Sequence, residues 1–274
     1  MLRWLLQAGT APTADLDWLT AAERSRLASL KVEKRRRDWL LGRYAAKRLL
    51  VRWMRERTGL PVPMSFLEIG TADSGAPEAR LCATAPPVDG LPPGRRLPVA
   101  LSISHSGDRA LAALASLVPG APPLSVGADV ERIEPRIEAF AADYFTPEEI
   151  AETEAEPLAS RDRLVTSIWS AKEAVLKALG LGLTVDTRSV SCLFSEVPGE
   201  APPGLGPSEE GFRPFAVRVE PALLGGSSLH GFWRSSGGYV LTLAVRLGAV
   251  PAPAEPVLAM AREGGDPWKS RRGS

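Results

Sequence analysis

The feature that most restricts the fold of this chain is an apolar run that ends in two acidic residues. Residues 124–131 read Leu-Ser-Val-Gly-Ala-Asp-Val-Glu, which is typical of a β-strand. Side chains two apart point to the same face of a strand, so Asp129 and Glu131 bring two like charges together. The segment therefore predicts either an exposed edge strand that carries acids, or a strand that supplies oxygen ligands to a divalent cation such as Mg²⁺.

A helix that ends at glycine carries the next group of charges. Residues 169–183 read Trp-Ser-Ala-Lys-Glu-Ala-Val-Leu-Lys-Ala-Leu-Gly-Leu-Gly-Leu, and the glycines mark its C-terminal end. Glu173 and Lys177 are four residues apart and share one helical face, and Lys172 lies beside Glu173. The pair is either an exposed ion pair or part of a site where a metal ion meets a phosphate group.

The composition limits the classes of function. The chain has 274 residues, with 33 Lys and Arg against 32 Asp and Glu, so no strong overall field attracts it to nucleic acid or to a membrane. The two cysteines, Cys82 and Cys192, match no metal-ligand spacing and indicate a reducing cytoplasm. We find no signal-peptide profile and no run of the ~20 apolar residues that a membrane span needs.

Helix and strand signals alternate along the rest of the chain. A capping-box pattern at Thr20 and Glu23 predicts a helix that begins near Ala21, and an apolar stripe predicts a longer helix over residues 33–57. Ser160 is expected to cap the glycine-terminated helix. Strands are predicted within residues 65–70, 98–107, 109–117, 190–194, 215–220, 229–235 and 239–246, and residues 71–96 are predicted to form an irregular loop.

A linker signal near the midpoint divides the chain. Residues 118–123 read Val-Pro-Gly-Ala-Pro-Pro, a composition that interrupts regular structure. We therefore predict an N-terminal half (residues 1–120) and a C-terminal half (residues 121–248). The remaining residues, 249–274, are charged and rich in proline, which predicts a disordered tail.

Two further groups of residues are candidates for binding an anion. The helix predicted over residues 33–57 has a basic face, which is either solvated or an anion clamp, since guanidinium groups bind phosphate through paired N–H groups. Its members are Arg35, Arg36, Arg37, Arg43, Lys47 and Arg48. His105 follows a predicted strand in Ile-Ser-His-Ser-Gly at 103–107, where a lone histidine is more often structural than functional.

Three of these segments, in order, carry a resemblance to a known family. They resemble the motifs of the 4′-phosphopantetheinyl transferases, specifically the long type with two halves. The segments are residues 103–107, residues 127–131, and residues 169–177 with the glycines that follow. The resemblance extends over about residues 20–247. It implies an α+β fold built as a pseudo-symmetric pair of similar halves. Each half would be a long helix packed on a small antiparallel sheet, with the active site in the cleft between them.

The reaction that the resemblance implies is the transfer of the 4′-phosphopantetheine arm of coenzyme A to a serine of an apo acyl or peptidyl carrier protein. The other product is 3′,5′-ADP, and the enzyme would be a cytoplasmic monomer that uses Mg²⁺, with Mn²⁺ as an alternative. In the family pattern the metal ligands would be Asp129, Glu131 and Glu173, and the catalytic residues Glu173 and Lys177. The positions that would contact coenzyme A are Arg35, Arg43, Lys47, Ser104, His105, Asp129, Lys172 and Lys177.

One departure from the family pattern concerns coenzyme A. Many members carry Gly-Lys-Pro before the Ser-His motif, and here the corresponding triplet is Gly-Ala-Pro at 75–77. Ala76 therefore replaces a lysine that contacts coenzyme A, and Arg80 or Arg95 is a candidate substitute. Two other functions stay open at this point. One is a non-catalytic module that binds coenzyme A or a nucleotide, and the other is a metal-dependent phosphohydrolase.

Overall fold

The computed structural model describes residues 2–182, 184–196, 198–199, 201–207 and 211–248, except the side chain of Glu138. The tail predicted to be disordered lies outside these residues. The N-terminal elements are β1 (Leu2–Ala8), α1 (Ala21–Ser29), α2 (Glu33–Thr58), β2 (Leu67–Thr71), β3 (Pro77–Leu81), β4 (Val99–Ser106) and β5 (Arg109–Ser116). The C-terminal elements are β6 (Leu124–Arg132), α3 (Glu138–Tyr144), α4 (Pro147–Ala155), α5 (Leu158–Leu179), β7 (Val190–Leu193), β8 (Arg213–Val219), α6 (Pro221–Leu224), β9 (Ser228–Ser236) and β10 (Tyr239–Leu247).

The strands form antiparallel sheets. The first sheet has the order β1-β5-β4 and the second has the order β6-β10-β9-β8-β7, while β2 and β3 form a separate hairpin. Helix α2 packs on the first sheet and helix α5 on the second. The predicted combination of α-helices with small antiparallel sheets is confirmed. No helix of the described residues has the length and apolar character that crossing a membrane requires.

Several local predictions differ from the structure. Strand β1 was not predicted, because its pairing partner β5 lies more than a hundred residues further along the chain. Strand β3 lies inside the region predicted to be an irregular loop. Ser160 does not cap α5, because the helix already begins at Leu158, directly after Pro157. The fixed φ of proline suits a position at the start of a helix, and the Ser160 hydroxyl donates to the Pro157 carbonyl instead.

A buried ion pair fixes the helices of the N-terminal elements. Glu23 closes the predicted capping box with Thr20, accepts a hydrogen bond from the backbone N–H of Ile69 at 3.1 Å, and is ion-paired with Lys47 of α2. The Lys47 ammonium also donates to the carbonyl of Trp18 at 2.9 Å. Because the Lys47 side chain is 0% exposed, this pair joins α1, α2 and β2 inside the core.

The C-terminal elements contain a pair with the same connections. Glu149 closes a capping box with Thr146 at the start of α4, and it accepts from the backbone N–H of Cys192 at 2.7 Å. Its partner is Lys172 of α5 at 2.8 Å, and both side chains are 0% exposed. Lys172 also donates to the carbonyl of Thr187 at 2.9 Å. This pair therefore joins α4, α5 and β7.

The two sheets pack together through an apolar cluster that includes Leu111 and Leu241, and hydroxyl groups bond their neighbouring edges. Strand β4 is at the edge of the first sheet and β6 at the edge of the second. Alternate residues of β4 supply three serines, which we call the serine seam: Ser102, Ser104 and Ser106. Ser102 accepts from the backbone N–H of Ala128 at 2.9 Å, and Ser106 accepts from the backbone N–H of Arg132 at 3.3 Å. Since side chains two apart share a face, the whole seam points at β6.

Helix α5 lies unusually close to β6 at one glycine. A Cβ atom on Gly127 would lie 1.8 Å from the carbonyl oxygen of Ala174, a distance that no side chain can occupy. The absence of a side chain at this position lets α5 approach the strand. The approach brings Asp129, two residues later in β6, to Glu173 and Lys177 on the helix.

We predict that Lys172→Met lowers the free energy of unfolding by about 3–5 kcal/mol, because it leaves the buried Glu149 carboxylate without its partner. Replacing both partners, in Lys172→Met with Glu149→Gln, should restore part of that loss, because the amide removes the unpaired charge and keeps an oxygen acceptor for the backbone N–H groups that Glu149 binds. Urea unfolding measures both changes. The matched control is Lys34→Met, which breaks the ion pair between Lys34 and Asp38. The Lys34 side chain is 75% exposed, so its loss should change the free energy of unfolding by less than about 1 kcal/mol. Equal losses in the two lysine variants would contradict the prediction.

Candidate functional site

Asp129 is the centre of the site, and its carboxylate is held by three side chains from two neighbouring elements. It is 1% exposed. Its Oδ1 atom accepts from the hydroxyl of Ser104 on β4 at 2.7 Å and from the ammonium of Lys177 on α5 at 2.7 Å. Its Oδ2 atom accepts from the hydroxyl of Ser170, also on α5, at 2.8 Å. The charge of Asp129 is therefore compensated by hydrogen bonds and by one cation.

Lys177 joins two of the predicted acidic residues. Its ammonium lies 2.7 Å from Asp129 and 3.3 Å from Glu173. Burial lowers the pKa of Lys177, but the charges of Asp129 and Glu173 and the hydrogen bonds to them outweigh that effect, so its pKa is raised. Lys177 therefore stays protonated at neutral pH and keeps a positive charge at the mouth of the site.

The neighbouring carboxylates have raised pKa values. Burial, followed by the charge of Asp129, raises the pKa of Glu131 to about 7, although Arg136 and the Ser106 hydroxyl act in the opposite direction. Burial and the charge of Asp129 also raise the pKa of Glu173. Burial and the charge of Asp129 therefore both disfavour the charged forms of these two carboxyl groups.

The donor set fits a divalent cation by its chemistry, although it is not arranged as a metal site. Among the described residues, no group of three or more His, Cys, Asp or Glu side chains is arranged to hold a metal ion, because Lys177 lies between Asp129 and Glu173. Carboxylate oxygens are nevertheless the ligands that Mg²⁺ prefers. A bound divalent cation would favour the charged forms of these carboxyl groups.

A cavity of about 390 Å³ lies beside this cluster. It is enclosed by α1, α2, the β2–β3 hairpin and β4, and its charged or ring-bearing lining includes Arg26, Arg35, Asp38, Trp39, Arg43 and His105. The Nε atom of Arg43 is buried and has no hydrogen-bond partner among the described residues. Its guanidinium lies 5.0 Å from the centre of the Trp39 ring. The cavity therefore offers guanidinium groups to an anionic ligand.

His105 connects the cavity to the carboxylate cluster. Its ring lines the cavity, while Ser104, the preceding residue, is bonded to Asp129. The side chain is 46% exposed and its Nδ1 atom lies 3.9 Å from Asp38. Burial is the main cause that lowers the pKa of His105, and the nearby Lys177 contributes in the same direction. The structure thus brings His105 together with the predicted Arg35 and Arg43.

Two predicted coenzyme A contacts need correction. Lys47 and Lys172 both point into the core, where their ammonium groups are bound to Glu23 and Glu149 and are 0% exposed. Successive helical side chains differ in direction by about 100°. Lys172 therefore faces away from Asp129 although Glu173 faces it. In this arrangement neither lysine reaches a ligand at the surface.

Some residues of the site were not predicted. Ser170 lies three residues before Glu173 and seven before Lys177. This helical spacing places Ser170 on the same face of α5 as those two residues, and it is the signal that could have identified Ser170. Arg26 and Asp38 line the cavity, but no local pattern distinguishes them from other surface charges. Their role depends on how α1 and α2 pack against β4.

The predicted departure at Ala76 lies next to the cavity, because Gly75 and Pro77 both line it. Arg80 is ion-paired with Glu78 at 2.6 Å. Neither Arg80 nor Arg95 is part of the cavity lining. Arg26 is on the lining and supplies a guanidinium group on the side of the cavity formed by α1.

Comparisons with known proteins agree with the resemblance. Residues 125–207 match the model of the 4′-phosphopantetheinyl transferase superfamily. A curated relative, the 4′-phosphopantetheinyl transferase psf-1 of Bacillus pumilus, is 32% identical over 109 residues, which are 39% of this chain and 44% of the relative. The chain is therefore matched over less than half the length of that relative. The resemblance is confirmed for the segment that carries Asp129, Glu131, Glu173 and Lys177.

Solved structures show a weaker likeness. The holo-[acyl-carrier-protein] synthase of Thermotoga maritima is 22% identical, with 45% of this chain and 63% of that chain covered at a TM-score of 0.35. A complex of this type of synthase with coenzyme A, from Chronobacterium ammoniagenes, is 19% identical, with 46% and 98% covered at a TM-score of 0.35. A likeness of this degree carries no argument about function.

We predict that Glu131→Gln stabilises the metal-free protein at pH 8 and has a much smaller effect at pH 5. The pKa of Glu131 is about 7 in the folded protein, above its ordinary value, so the folded state binds this proton more tightly than the unfolded state. The contribution of Glu131 to stability is therefore complete below the ordinary pKa and is lost as the pH rises through about 7.

Thermal unfolding in the presence of a chelator, from pH 5 to pH 8, measures this effect. The difference in melting temperature between Glu131→Gln and wild type should grow with pH. The matched control is Glu134→Gln, an exposed acid just after β6, for which no such growth is expected. A difference that stays constant over the range contradicts the prediction.

Proposed function

We propose that this protein transfers the 4′-phosphopantetheine arm of coenzyme A to a serine hydroxyl of an apo acyl or peptidyl carrier protein, with release of 3′,5′-ADP. The observation that carries the proposal is the position of the Asp129, Glu173 and Lys177 cluster beside a cavity lined by guanidinium groups and His105. Transfer of a phosphoryl group depends on positioning and on compensation of charge. The cluster and the cavity supply these two requirements at adjacent places.

We also infer that the chain is of the long type, with a half formed by residues 1–120 and a half formed by residues 121–248. The sheet orders β1-β5-β4 and β6-β10-β9 correspond, and each sheet packs on one long helix. The buried pairs add independent support. Asp-Trp-Leu-Thr-x-x-Glu at 17–23 corresponds to Asp-Tyr-Phe-Thr-x-x-Glu at 143–149, and the partners Lys47 and Lys172 follow in α2 and α5.

Coenzyme A would bind with its nucleotide in the cavity. Its 3′-phosphate carries negative charge, and Arg35, Arg43 and His105 face the cavity. Arginine binds phosphate through paired N–H groups, and the unpartnered Nε of Arg43 is a donor available for this purpose. The Ser104 hydroxyl already donates to Asp129, so its contribution would be to hold β4, and with it His105, against β6.

A divalent metal ion is part of the proposal. Asp129, Glu131 and Glu173 would hold Mg²⁺, or Mn²⁺ in its place, and the bound ion would act as a Lewis acid that compensates charge on the pyrophosphate. The raised pKa values of Glu131 and Glu173 agree with this assignment, since burial and the charge of Asp129 disfavour their charged forms and a bound cation would favour them.

The remaining roles belong to two residues of α5. Glu173 would accept the proton of the attacking serine, directly or through water, and its raised pKa makes it a better base near neutral pH. Lys177 keeps its proton and would place a positive charge on the pyrophosphate, which favours departure of 3′,5′-ADP. The proposal takes the protein as a cytoplasmic monomer whose macromolecular partner is the carrier protein.

We predict that the protein, incubated with coenzyme A, Mg²⁺ and a panel of apo carrier proteins, increases the mass of at least one carrier by one phosphopantetheine. Asp129→Ala and Glu173→Ala should each reduce the rate by on the order of 100-fold or more, while circular dichroism shows that they remain folded. Asp143→Ala, at an exposed acid of α3, is the matched control. Intact-protein mass spectrometry measures the transfer.

The alternative functions give different results in the same assay. Binding of coenzyme A with no modified carrier would identify a non-catalytic binding module. A nucleotide product other than 3′,5′-ADP, formed without a carrier, would identify a phosphohydrolase. Full activity of both alanine variants would contradict the assignment of the carboxylates.

We predict that Arg26 replaces the lysine that is absent at Ala76. Arg26→Ala should raise the KM for coenzyme A by roughly 10-fold or more, with kcat little changed, because a hydrogen bond to a charged group contributes about 1.5–3 kcal/mol. Arg95→Ala, at a position outside the cavity lining, is the control and should leave KM unchanged. Ala76→Lys should lower the KM of Arg26→Ala. Equal KM values for Arg26→Ala and wild type would contradict this role.

A further inference from the structure

The Oδ2 atom of Asp129 has an environment that the proposed chemistry does not explain. A carboxylate has about four lone-pair directions for hydrogen bonds or metal ions. The Oδ1 atom already accepts from Ser104 and from Lys177, each at 2.7 Å. In the part of the chain that the structure describes, Oδ2 accepts from Ser170 at 2.8 Å, and the Glu173 carboxyl lies within hydrogen-bonding reach of the same carboxylate. Oδ2 therefore accepts fewer donated hydrogen bonds than Oδ1, and the Ser170 hydroxyl fixes its position.

Ser170 is in turn held by a residue of the neighbouring strand. Its Oγ atom lies 2.8 Å from the hydroxyl of Thr242, and Thr242 also donates to the Ser170 carbonyl at 2.8 Å. Thr242 lies directly opposite Asp129 in the pairing of β10 with β6. A hydroxyl has one hydrogen. Since Ser170 uses its hydrogen for Asp129, Thr242 must be the donor in both contacts, and its one hydrogen is shared between the hydroxyl and the carbonyl oxygens of Ser170.

This chain of hydroxyl groups is fully enclosed. Ser170 and Thr242 are each 0% exposed, so water cannot substitute for either donor in this arrangement. The contacts extend from β10 through α5 to β6, and each hydroxyl has its partner inside the protein. A buried network in which every member is satisfied restricts its groups to one geometry.

We infer that Ser170 and Thr242 are positioning residues that orient Oδ2 of Asp129 toward the metal ion. This inference rests on the proposed function, since it concerns the metal site proposed there. Groups that bond to a metal ligand fix its orientation, and their loss typically costs 10–100-fold in metal affinity. Ser170 acts directly on Oδ2, and Thr242 acts through Ser170.

The test is binding of Mn²⁺ in the presence of coenzyme A, measured by isothermal titration calorimetry. Ser170→Ala is expected to weaken Mn²⁺ binding by roughly 10-fold. Thr242→Val, which keeps the side-chain shape, should weaken it as well, whereas Thr242→Ser keeps the hydroxyl and should bind as wild type does. The matched control is Ser167→Ala. Ser167 is also 0% exposed and lies on α5, but its hydroxyl donates only to the Arg163 carbonyl at 2.8 Å.

The outcomes separate this inference from the proposed function. If wild type binds Mn²⁺ and Asp129→Ala does not, but Ser170→Ala and Thr242→Val bind as tightly as wild type, the positioning role is overturned and the metal site stands. Equal weakening in Ser167→Ala and Ser170→Ala would also overturn it, because the effect would then be general to α5. If wild type neither binds Mn²⁺ nor modifies a carrier, the proposed function fails, and the inference fails with it.

If Ser170→Ala does not fold, the pair Thr242→Val and Thr242→Ser decides the question. The two variants differ in the hydroxyl that holds Ser170. Weak Mn²⁺ binding that is restored by the serine variant supports the inference, and equal binding by both overturns it. Circular dichroism and thermal unfolding of each variant identify those that are folded.

Discussion

The geometry of the candidate site depends on hydroxyl groups that bond the edges of two sheets. Strands β4 and β6 are edge strands, and in the described residues the side-chain hydrogen bonds between them run through the serine seam. Each such bond contributes only about 0.5–1.5 kcal/mol, but the seam determines where the Ser-His motif lies relative to Asp129. The hydroxyl of Tyr239, at the start of β10, adds a bond of 2.8 Å to Asp108 in the turn after β4. Positions in the site are therefore set by the same contacts that join the sheets.

Close approach on the other side of β6 completes the geometry. Gly127 leaves no room for a side chain beneath α5, and the buried Lys172 fixes the rotation of that helix. Because Glu173 follows Lys172 directly, anchoring one side chain in the core turns the next toward Asp129. The cost of this arrangement is visible in the raised pKa values of Glu131 and Glu173, since burial and mutual repulsion both disfavour their charged forms.

Local spacing was enough to predict a part of this site. The strand period placed Asp129 and Glu131 on one face, and the helix period did the same for Glu173 and Lys177. Neither period shows which face of α5 is covered by other elements, so Lys172 was assigned to the cleft although Glu149 binds it in the core. A buried lysine needs an ion pair with an acidic residue of another segment, and that pairing depends on the tertiary structure.

Prediction of the fold from the sequence was limited in the same way, to features with local signals. Helix α2 and the strands of the β4–β5 and β9–β10 pairs were predicted because their signals are local, whereas β1 depends on a partner more than a hundred residues away. The proposed repeat between the halves was also not recognised directly in the sequence. Its support comes from Glu23 and Glu149, which bind lysines at corresponding places in α2 and α5, and few other positions are shared.

The two buried pairs have a consequence for the response of the protein to ionic strength. Dissolved salt screens charges that water can reach and has much less effect on charges in the core. The ammonium groups of Lys47 and Lys172 belong to the second class, and the guanidinium groups that line the cavity belong to the first. Added salt should therefore compete with an anionic ligand at the cavity while the framework that holds α2 and α5 remains in place. Attraction of the ligand and integrity of the scaffold are, in this respect, under separate electrostatic control.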